Sequence, residues 1–183
     1  MPADFFDELH DTKTPPEYRW FDGKSWISSS NGNFLNVVSP IDQSIVGKVS
    51  VVTHPEIDSA IKRAHVAQKD WSARTVFERG KILKLAADWM WEHEPYLSTL
   101  LVREIGKPAD EAKDEIVRSA DMVDYFAHEV LHMKGDQIPS DAFPGYDKTK
   151  LAIIERIPLG VILAISPFNY PVNLAASKIV PAL

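Results

Sequence analysis

A near-continuous apolar run, LGVILAIS at residues 159–166, constrains the fold of this chain more than any other feature. Such a run without polar alternation is typical of a central strand in a parallel sheet, where helices cover both faces. Parallel strands occur in sheets built from several crossover units, and the rest of the chain offers no parallel partner. The sequence therefore predicts the opening of an α/β domain whose later strands are missing.

Short strands are predicted in the N-terminal part of the chain. Residues 1–17 end in TKTPPEY, and the two prolines favour an extended N-terminal arm. Asp22-Gly23 between aromatic residues is a strong hairpin signal. Residues 33–52 indicate a second strand pair around the turn Pro40-Ile41-Asp42.

Helices are predicted between these strands and the apolar run. Their start and stop signals are Thr53 as an N-cap, Thr75 with Glu78 as a capping box, Pro95 as a restart and Gly106 as a C-terminal stop. The longest helix is expected from Asp110 to Met133. Its predicted core stripe has helical spacing and consists of Ala112, Ile116, Ala120, Val123, Ala127 and Leu131.

Composition excludes several classes of function. The chain has 183 residues, enough for one globular domain with a core, and no cysteine, so it forms neither a disulfide nor a cysteine metal site. Its net charge is −6 with mixed signs and no basic stripe, so a nucleic-acid surface is not expected. No stretch resembles a signal peptide or approaches the roughly 20 apolar residues that span a bilayer. We therefore expect a cytoplasmic protein.

A literal HExxH pattern, HEVLH, occurs at residues 128–132 on the predicted long helix. Its two histidines, four positions apart, could bind zinc from one helix face, with Glu129 as general base. The extended motif needs a third histidine at position 138, where this chain has Ile138. The simpler interpretation is a polar helix face that carries His128 and His132 by coincidence, and we expect no bound metal.

The segment ISPFNYP, residues 165–171, is predicted to be the strand-to-helix loop at the carboxyl end of the apolar strand. Open α/β sheets bind their ligands at that position. Pro167 and Pro171 stiffen the loop around Asn169 and Tyr170, and a fixed side-chain amide can donate hydrogen bonds to a developing oxyanion. The alternative is an ordinary turn in which Asn169 caps the next helix. No glycine-rich phosphate loop accompanies the segment.

Arg118 lies on the predicted long helix, with Tyr125 two turns later on a similar face. An arginine at this position could bind an anionic substrate group through two hydrogen bonds. A surface ion pair with Asp114 is the more ordinary explanation.

The segment IPLGVILAISPFNYPVNL, residues 157–174, continues to KIVPAL at the C-terminus and closely resembles the aldehyde dehydrogenase superfamily. Earlier segments agree in order, namely FDGKSW, SPIDQSIVGKV, AIKRAHVAQKDWSA, ERGKILKLAADW and REIGKP. The resemblance covers residues 18–183. Within the family, PFNYPVNLAASKI and EIVRSADMVDYFA are most similar to the non-phosphorylating, NADP-dependent glyceraldehyde-3-phosphate dehydrogenases.

This resemblance implies an α/β, aldehyde dehydrogenase-like fold. Residues 18–183 would form the incomplete N-terminal part of a Rossmann-type NAD(P)-binding domain, with hairpins and helices before it and the catalytic domain absent. The implied activity is the oxidation of an aldehyde, glyceraldehyde 3-phosphate or a related one, to the acid with NADP or NAD. A cysteine attacks the aldehyde, hydride passes to the nicotinamide, and a glutamate-activated water hydrolyses the thioester. The chain has no cysteine, so alone it is expected to be inactive.

Residue roles also follow from the resemblance. Asn169 matches the oxyanion-hole asparagine, and Arg118 and Tyr170 match positions that face the substrate and its phosphate. The loop against the cofactor consists of Ile165, Ser166, Pro167 and Phe168. The family helix that matches HEVLH binds no metal.

The implied partners are a small aldehyde and, for a complete enzyme, further copies of itself. The remaining part of the same enzyme is a further expected partner, whereas nucleic acid and membrane are not expected. Two rival hypotheses stay open at this point. One is a zinc peptidase that uses His128, Glu129 and His132, and the other is a non-catalytic interaction module derived from a dehydrogenase fragment.

Overall fold

The computed structural model of this protein describes residues 9–11, 13–145 and 147–183. The strands are β1 (Glu17–Tyr18), β2 (Trp20–Phe21), β3 (Trp26–Ile27), β4 (Phe34–Val38), β5 (Ile45–Ser50), β6 (Asp136–Pro139) and β7 (Leu151–Ile154). The helices are α1 (His54–Ala73), α2 (Val76–Glu92), α3 (Glu94–Ile105), α4 (Ala109–Glu129) and α5 (Pro171–Ala182). Among the described residues, no helix has both the length and the apolar character needed to cross a membrane.

Both predicted N-terminal strand pairs are confirmed. Strands β2 and β3 form an antiparallel hairpin around Asp22-Gly23, and Gly23 has a φ of 95°, which glycine adopts without strain. Strands β4 and β5 are also antiparallel. Strand β1 adds to β5 in parallel, with Glu17 opposite Lys48. Residues 1–8 and 12 of the predicted N-terminal arm lie outside the described residues, and Glu17 at its end belongs to β1. The extent of the arm stays a prediction.

Helix α1 is anchored to the preceding loop through its first turn. Thr53 is its N-cap, as predicted, and the Glu56 carboxylate accepts hydrogen bonds from the backbone N–H and hydroxyl of Thr53. The backbone N–H of Ser30 and the hydroxyl of Ser29 donate to the same carboxylate. These hydrogen bonds, above all the one from the Thr53 backbone, lower the pKa of Glu56 to about 2. Despite this anchor, α1 buries none of its residues.

The apolar core lies where α2, α4 and α5 pack together. One cluster of buried side chains consists of Leu83, Ala87, Val123, Ala127, Ala176 and Val180. A second cluster, consisting of Leu101, Ala112 and Ile116, lies between α3 and α4. The first five positions of the stripe predicted for the long helix are therefore buried. The core thus holds α5, and with it the loop that precedes this helix, against α4.

The predicted C-terminal end of the long helix is wrong. The α-helix stops at Glu129, and residues 130–132 form a tighter 3₁₀ turn. A 3₁₀ turn has three residues per turn rather than 3.6, so side chains beyond Glu129 leave the helical stripe. Val130 is buried, whereas Leu131, the last residue of the predicted stripe, is 47% exposed.

Gly80 marks a close approach between the backbones of α2 and α4. A Cβ atom at this position would lie 2.6 Å from the carbonyl oxygen of Ala127 and 3.2 Å from Val130 Cγ1. We expect Gly80→Ala to lower the free energy of unfolding by about 1–3 kcal/mol, because overpacking outweighs the gain in helix propensity. Chemical denaturation measures this loss, with Lys62→Ala on exposed α1 as control. A Gly80→Ala chain as stable as the parent would contradict the close approach.

The apolar run does not form the predicted strand. Residues 155–167 carry no regular secondary structure, and Leu159 and Leu163 are 92% and 83% exposed. A strand is stable only when neighbours satisfy its backbone and cover its faces. Strands β6 and β7 pair with each other, and no described strand pairs with residues 159–166. The apolar pattern is therefore that of a buried strand, but the described chain does not bury it.

Candidate functional site

The loop of residues 165–171 leads directly into α5. Pro171 is the first residue of that helix, as predicted, and the Ser166 hydroxyl donates a 2.8 Å hydrogen bond to the Pro171 carbonyl. Ile165 and Phe168 are 70% and 84% exposed. The four residues assigned to the cofactor, 165–168, therefore form an open edge, and Ser166 alone among them is half-buried.

Asn169 does not cap α5. The N-cap residue is Tyr170, and its side chain makes no capping hydrogen bond to the first backbone N–H groups of the helix. Within the part of the chain that the structure describes, the Asn169 side chain is exposed and makes no hydrogen bond. The helix-cap alternative for Asn169 is therefore wrong. Its side-chain amide is available to bind a ligand.

The amides at the start of α5 are instead held by a carboxylate from another helix. Glu115 Oε1 accepts from the backbone N–H groups of Val172 and Asn173 at 3.0 and 3.1 Å. A negative charge at this position is favourable, because the N-terminus of a helix carries partial positive charge. The Ser119 hydroxyl donates to the Glu115 carbonyl at 2.6 Å, and the Asn173 side-chain amide donates to Ser119 at 3.4 Å. Helix α4 thereby determines where α5 begins.

Lys107 joins this carboxylate to the candidate oxyanion loop. Its Nζ lies 2.5 Å from Glu115 Oε2 and donates to the Asn169 carbonyl at 3.2 Å. The same ammonium group lies 3.5 Å from the centroid of the Tyr170 ring, in cation–π geometry. The side chains of Lys107 and Glu115 are only 6% and 0% exposed. A buried ion pair thus contacts both residues predicted at the tip of the loop.

No motif in the sequence singled out Lys107 or Glu115 as functional residues. One signal was present in the sequence. Glu115 is next to Ile116 and three residues after Ala112, which places it on the apolar, buried face of the helix. A carboxylate on the core face of a helix is costly to bury unless a cation and hydrogen-bond donors accompany it. Nothing local indicates that the cation is Lys107 or that the donors are on α5.

Arg118 lies on the solvent side of α4. Its Nη1 is 3.4 Å from Asp114 Oδ2, and both side chains are about two-thirds exposed, at 66% and 64%. The ordinary surface pair foreseen from the sequence is therefore present. Exposed pairs of this kind contribute about 0–1 kcal/mol, so the guanidinium can exchange Asp114 for another anion at little cost. Tyr125 is likewise 60% exposed.

The geometry of HEVLH does not match the zinc motif. His128 is in the last turn of α4, Glu129 ends the helix, and His132 lies in the 3₁₀ turn. The assumption that the two histidines share one α-helical face is therefore wrong. His128 Nδ1 lies 2.8 Å from the Asp124 carbonyl, and His132 Nδ1 lies 3.6 Å from Glu129 Oε2. Across residues 9–11, 13–145 and 147–183, no three potential ligand side chains cluster.

We expect purified protein to contain no stoichiometric zinc at this segment, because His132 lies outside the α-helix and no third ligand lies nearby among the described residues. Elemental analysis of protein prepared without added metal provides the measurement. His128→Ala serves as the matched variant. One zinc per chain that disappears in this variant would overturn the expectation.

Comparison with known proteins agrees with the site's sequence pattern. The model of the aldehyde dehydrogenase family matches residues 26–183. This chain belongs to the aldehyde dehydrogenase family. The resemblance seen in the sequence is thereby confirmed, and the family's nucleophilic cysteine is absent from these 183 residues.

Individual relatives give the same assignment. The NADP-dependent glyceraldehyde-3-phosphate dehydrogenase of Zea mays is 41% identical over 91% of this chain and 34% of its own length. A crystal structure of the corresponding enzyme from Bacillus halodurans C-125, complexed with NADP, has a TM-score of 0.83 and 39% identity, over 90% of this chain and 34% of that one. The crystal structure of an aldehyde dehydrogenase from Brucella melitensis has a TM-score of 0.85 and 28% identity, and the match covers 100% of this chain and 35% of that chain.

The chain spans about a third of the length of the relatives it matches. The mixed α/β fold predicted from the sequence is confirmed as that of the N-terminal third of aldehyde dehydrogenase structures. The activity of a full-length relative therefore applies to this chain only as a hypothesis.

Proposed function

We propose that this chain is the N-terminal part of a protein that oxidises an aldehyde to the acid with NADP or NAD. Family membership supports the reaction class, and one structural observation carries the proposal further. The side-chain amide of Asn169 is open to solvent, while a buried ion pair binds the backbone of its loop. An amide donor on a pre-positioned backbone is what oxyanion stabilisation requires.

Residues 165–169 of the loop each have a proposed role. Asn169 donates to the aldehyde oxygen as it becomes negatively charged. Residues 165–168 form the edge against which the nicotinamide cofactor lies, and residues 18–183 contribute the first part of its binding domain. NADP is favoured because the Bacillus halodurans relative was solved in complex with it. The thiol nucleophile comes from outside these 183 residues, which contain no cysteine.

The proposed substrate is glyceraldehyde 3-phosphate or a related aldehyde, in the cytoplasm. Support comes from the Zea mays relative, whose name includes that substrate. It also comes from Arg118, whose guanidinium is exposed and only weakly paired. Tyr170 lines the same substrate region in this proposal. The remaining part of the enzyme and further copies of it are the proposed protein partners.

The direct test uses the polypeptide encoded by the complete reading frame that contains this chain, which we call the whole protein. Purified whole protein should reduce NADP or NAD in the presence of glyceraldehyde 3-phosphate, as measured by nicotinamide absorbance. The 183-residue chain alone is the control and should be inactive. A whole protein that reduces neither cofactor with phosphorylated or neutral aldehydes would refute the proposed function.

Arg118→Leu tests the phosphate role within this proposal. An arginine–phosphate contact is charge-assisted and worth roughly 1.5–3 kcal/mol. We therefore expect kcat/KM of the whole protein for glyceraldehyde 3-phosphate to fall by about one to two powers of ten. A neutral aldehyde should be little affected, and Lys113→Leu, which removes a nearby charge from the same helix, should leave both values unchanged. Equal losses for both substrates in Arg118→Leu would reject the role.

A further inference from the structure

We propose that Lys107 and Glu115 are positioning residues for Asn169, a role that rests on the proposed function of that asparagine. Neither residue is proposed to contact the reacting atoms. Their part is to hold the backbone on both sides of the loop tip, so that the Asn169 side chain is directed before the substrate arrives.

Lys107 holds the first side of the loop. Its ammonium group donates to the backbone carbonyl of Asn169 itself, at 3.2 Å, and lies against the ring of the next residue, Tyr170. A bond to the main chain of Asn169 restricts its peptide plane while leaving the side-chain amide free. Lys107 is therefore placed to orient the residue without competing for its amide.

Glu115 holds the second side of the loop. Its Oε1 binds the backbone N–H groups of Val172 and Asn173, while its Oε2 binds Lys107. The two carboxylate oxygens thus connect the ammonium group to the start of α5. One ion pair therefore holds residue 169 on one side and residues 172–173 on the other. Because both sides are held, the two residues between them have little freedom to shift.

Burial makes this arrangement rigid. The two side chains are 6% and 0% exposed, so water has little access to compete for their hydrogen bonds. A buried ion pair is often no more stabilising than apolar residues of the same size, so stability alone is a weak reason for its presence. Precise placement of the loop supplies a reason, because a displacement of about 1 Å in a catalytic group can cost on the order of a hundredfold in rate.

The test uses the double variant Lys107→Met/Glu115→Gln, which removes both charges but keeps an oxygen at position 115 for the amides of α5. We expect its melting temperature to lie near that of the parent. In the 183-residue chain, amide hydrogen exchange across residues 166–173 should become about tenfold faster, while exchange in the α2 core should not change. In the whole protein, kcat should fall by about ten- to a hundredfold with KM for NADP within about twofold.

Lys84→Met is the matched control, because it removes a lysine paired with Asp88 and Asp124 far along the chain from the loop. It should leave exchange across the loop and kcat unchanged. Parent-like exchange and kcat in the double variant would overturn the proposal. A lower melting temperature with parent-like kcat would also overturn it, because a purely structural role predicts that result. If Asn169→Asp proves active, the oxyanion assignment fails instead, and loop exchange still decides whether the ion pair holds the loop.

Discussion

Asn169→Ala is expected to lower kcat of the whole protein by about 10²–10³, with the affinity for the cofactor nearly unchanged. The amide should contact the aldehyde oxygen mainly after that oxygen carries negative charge. Such a contact is stronger in the transition state than in the ground state, so its loss appears in kcat. Steady-state kinetics and cofactor titration measure the two quantities.

Asn169→Asp sharpens this test. A carboxylate has nearly the same shape as the amide, but when ionised it cannot donate and repels the oxyanion. We expect it to damage kcat at least as much as alanine does. Thermal melts of both variants should resemble the parent, because the Asn169 side chain caps no helix. Asn36→Ala on exposed β4 is the control, and an active Asn169→Asp protein would remove the support for the oxyanion role.

Lys107→Met alone is expected to lower the free energy of unfolding of the chain by about 3–5 kcal/mol. The substitution leaves the Glu115 carboxylate in a site where it is 0% exposed, without its cation. The two backbone donors from α5 remain but carry no full charge. Urea denaturation measures the loss, and the double variant Lys107→Met/Glu115→Gln should recover most of it because no charge is left uncompensated.

Lys84→Met again provides the comparison. Lys84 also pairs with carboxylates, but its side chain and those of Asp88 and Asp124 are 43%, 52% and 29% exposed. Water reaches Lys84 and Asp88 and screens the charge between them, so the expected loss is about 1 kcal/mol. Equal losses in Lys84→Met and Lys107→Met would contradict the importance assigned to burial.

The sequence by itself determined several of the caps and helix starts. Thr75 with Glu78, Gly106 and Pro171 act on backbone groups within a few residues, so their chemistry can be recognised without knowing the fold. The same local information identified the loop that contains Asn169. A long, ordered set of such segments was also sufficient to identify the family.

Tertiary structure decided how the candidate site is held. Lys107 is 62 residues from Asn169 in the chain, and Glu115 is 57 residues from Val172, so no local pattern pairs them. Tertiary structure also decided that residues 159–166 form no strand, although their apolar pattern predicts a buried one. A strand depends on hydrogen bonds from neighbouring strands, and the described chain provides none there. Capping is local and can be recognised in sequence, whereas burial of a charge or a strand depends on what the rest of the fold places beside it.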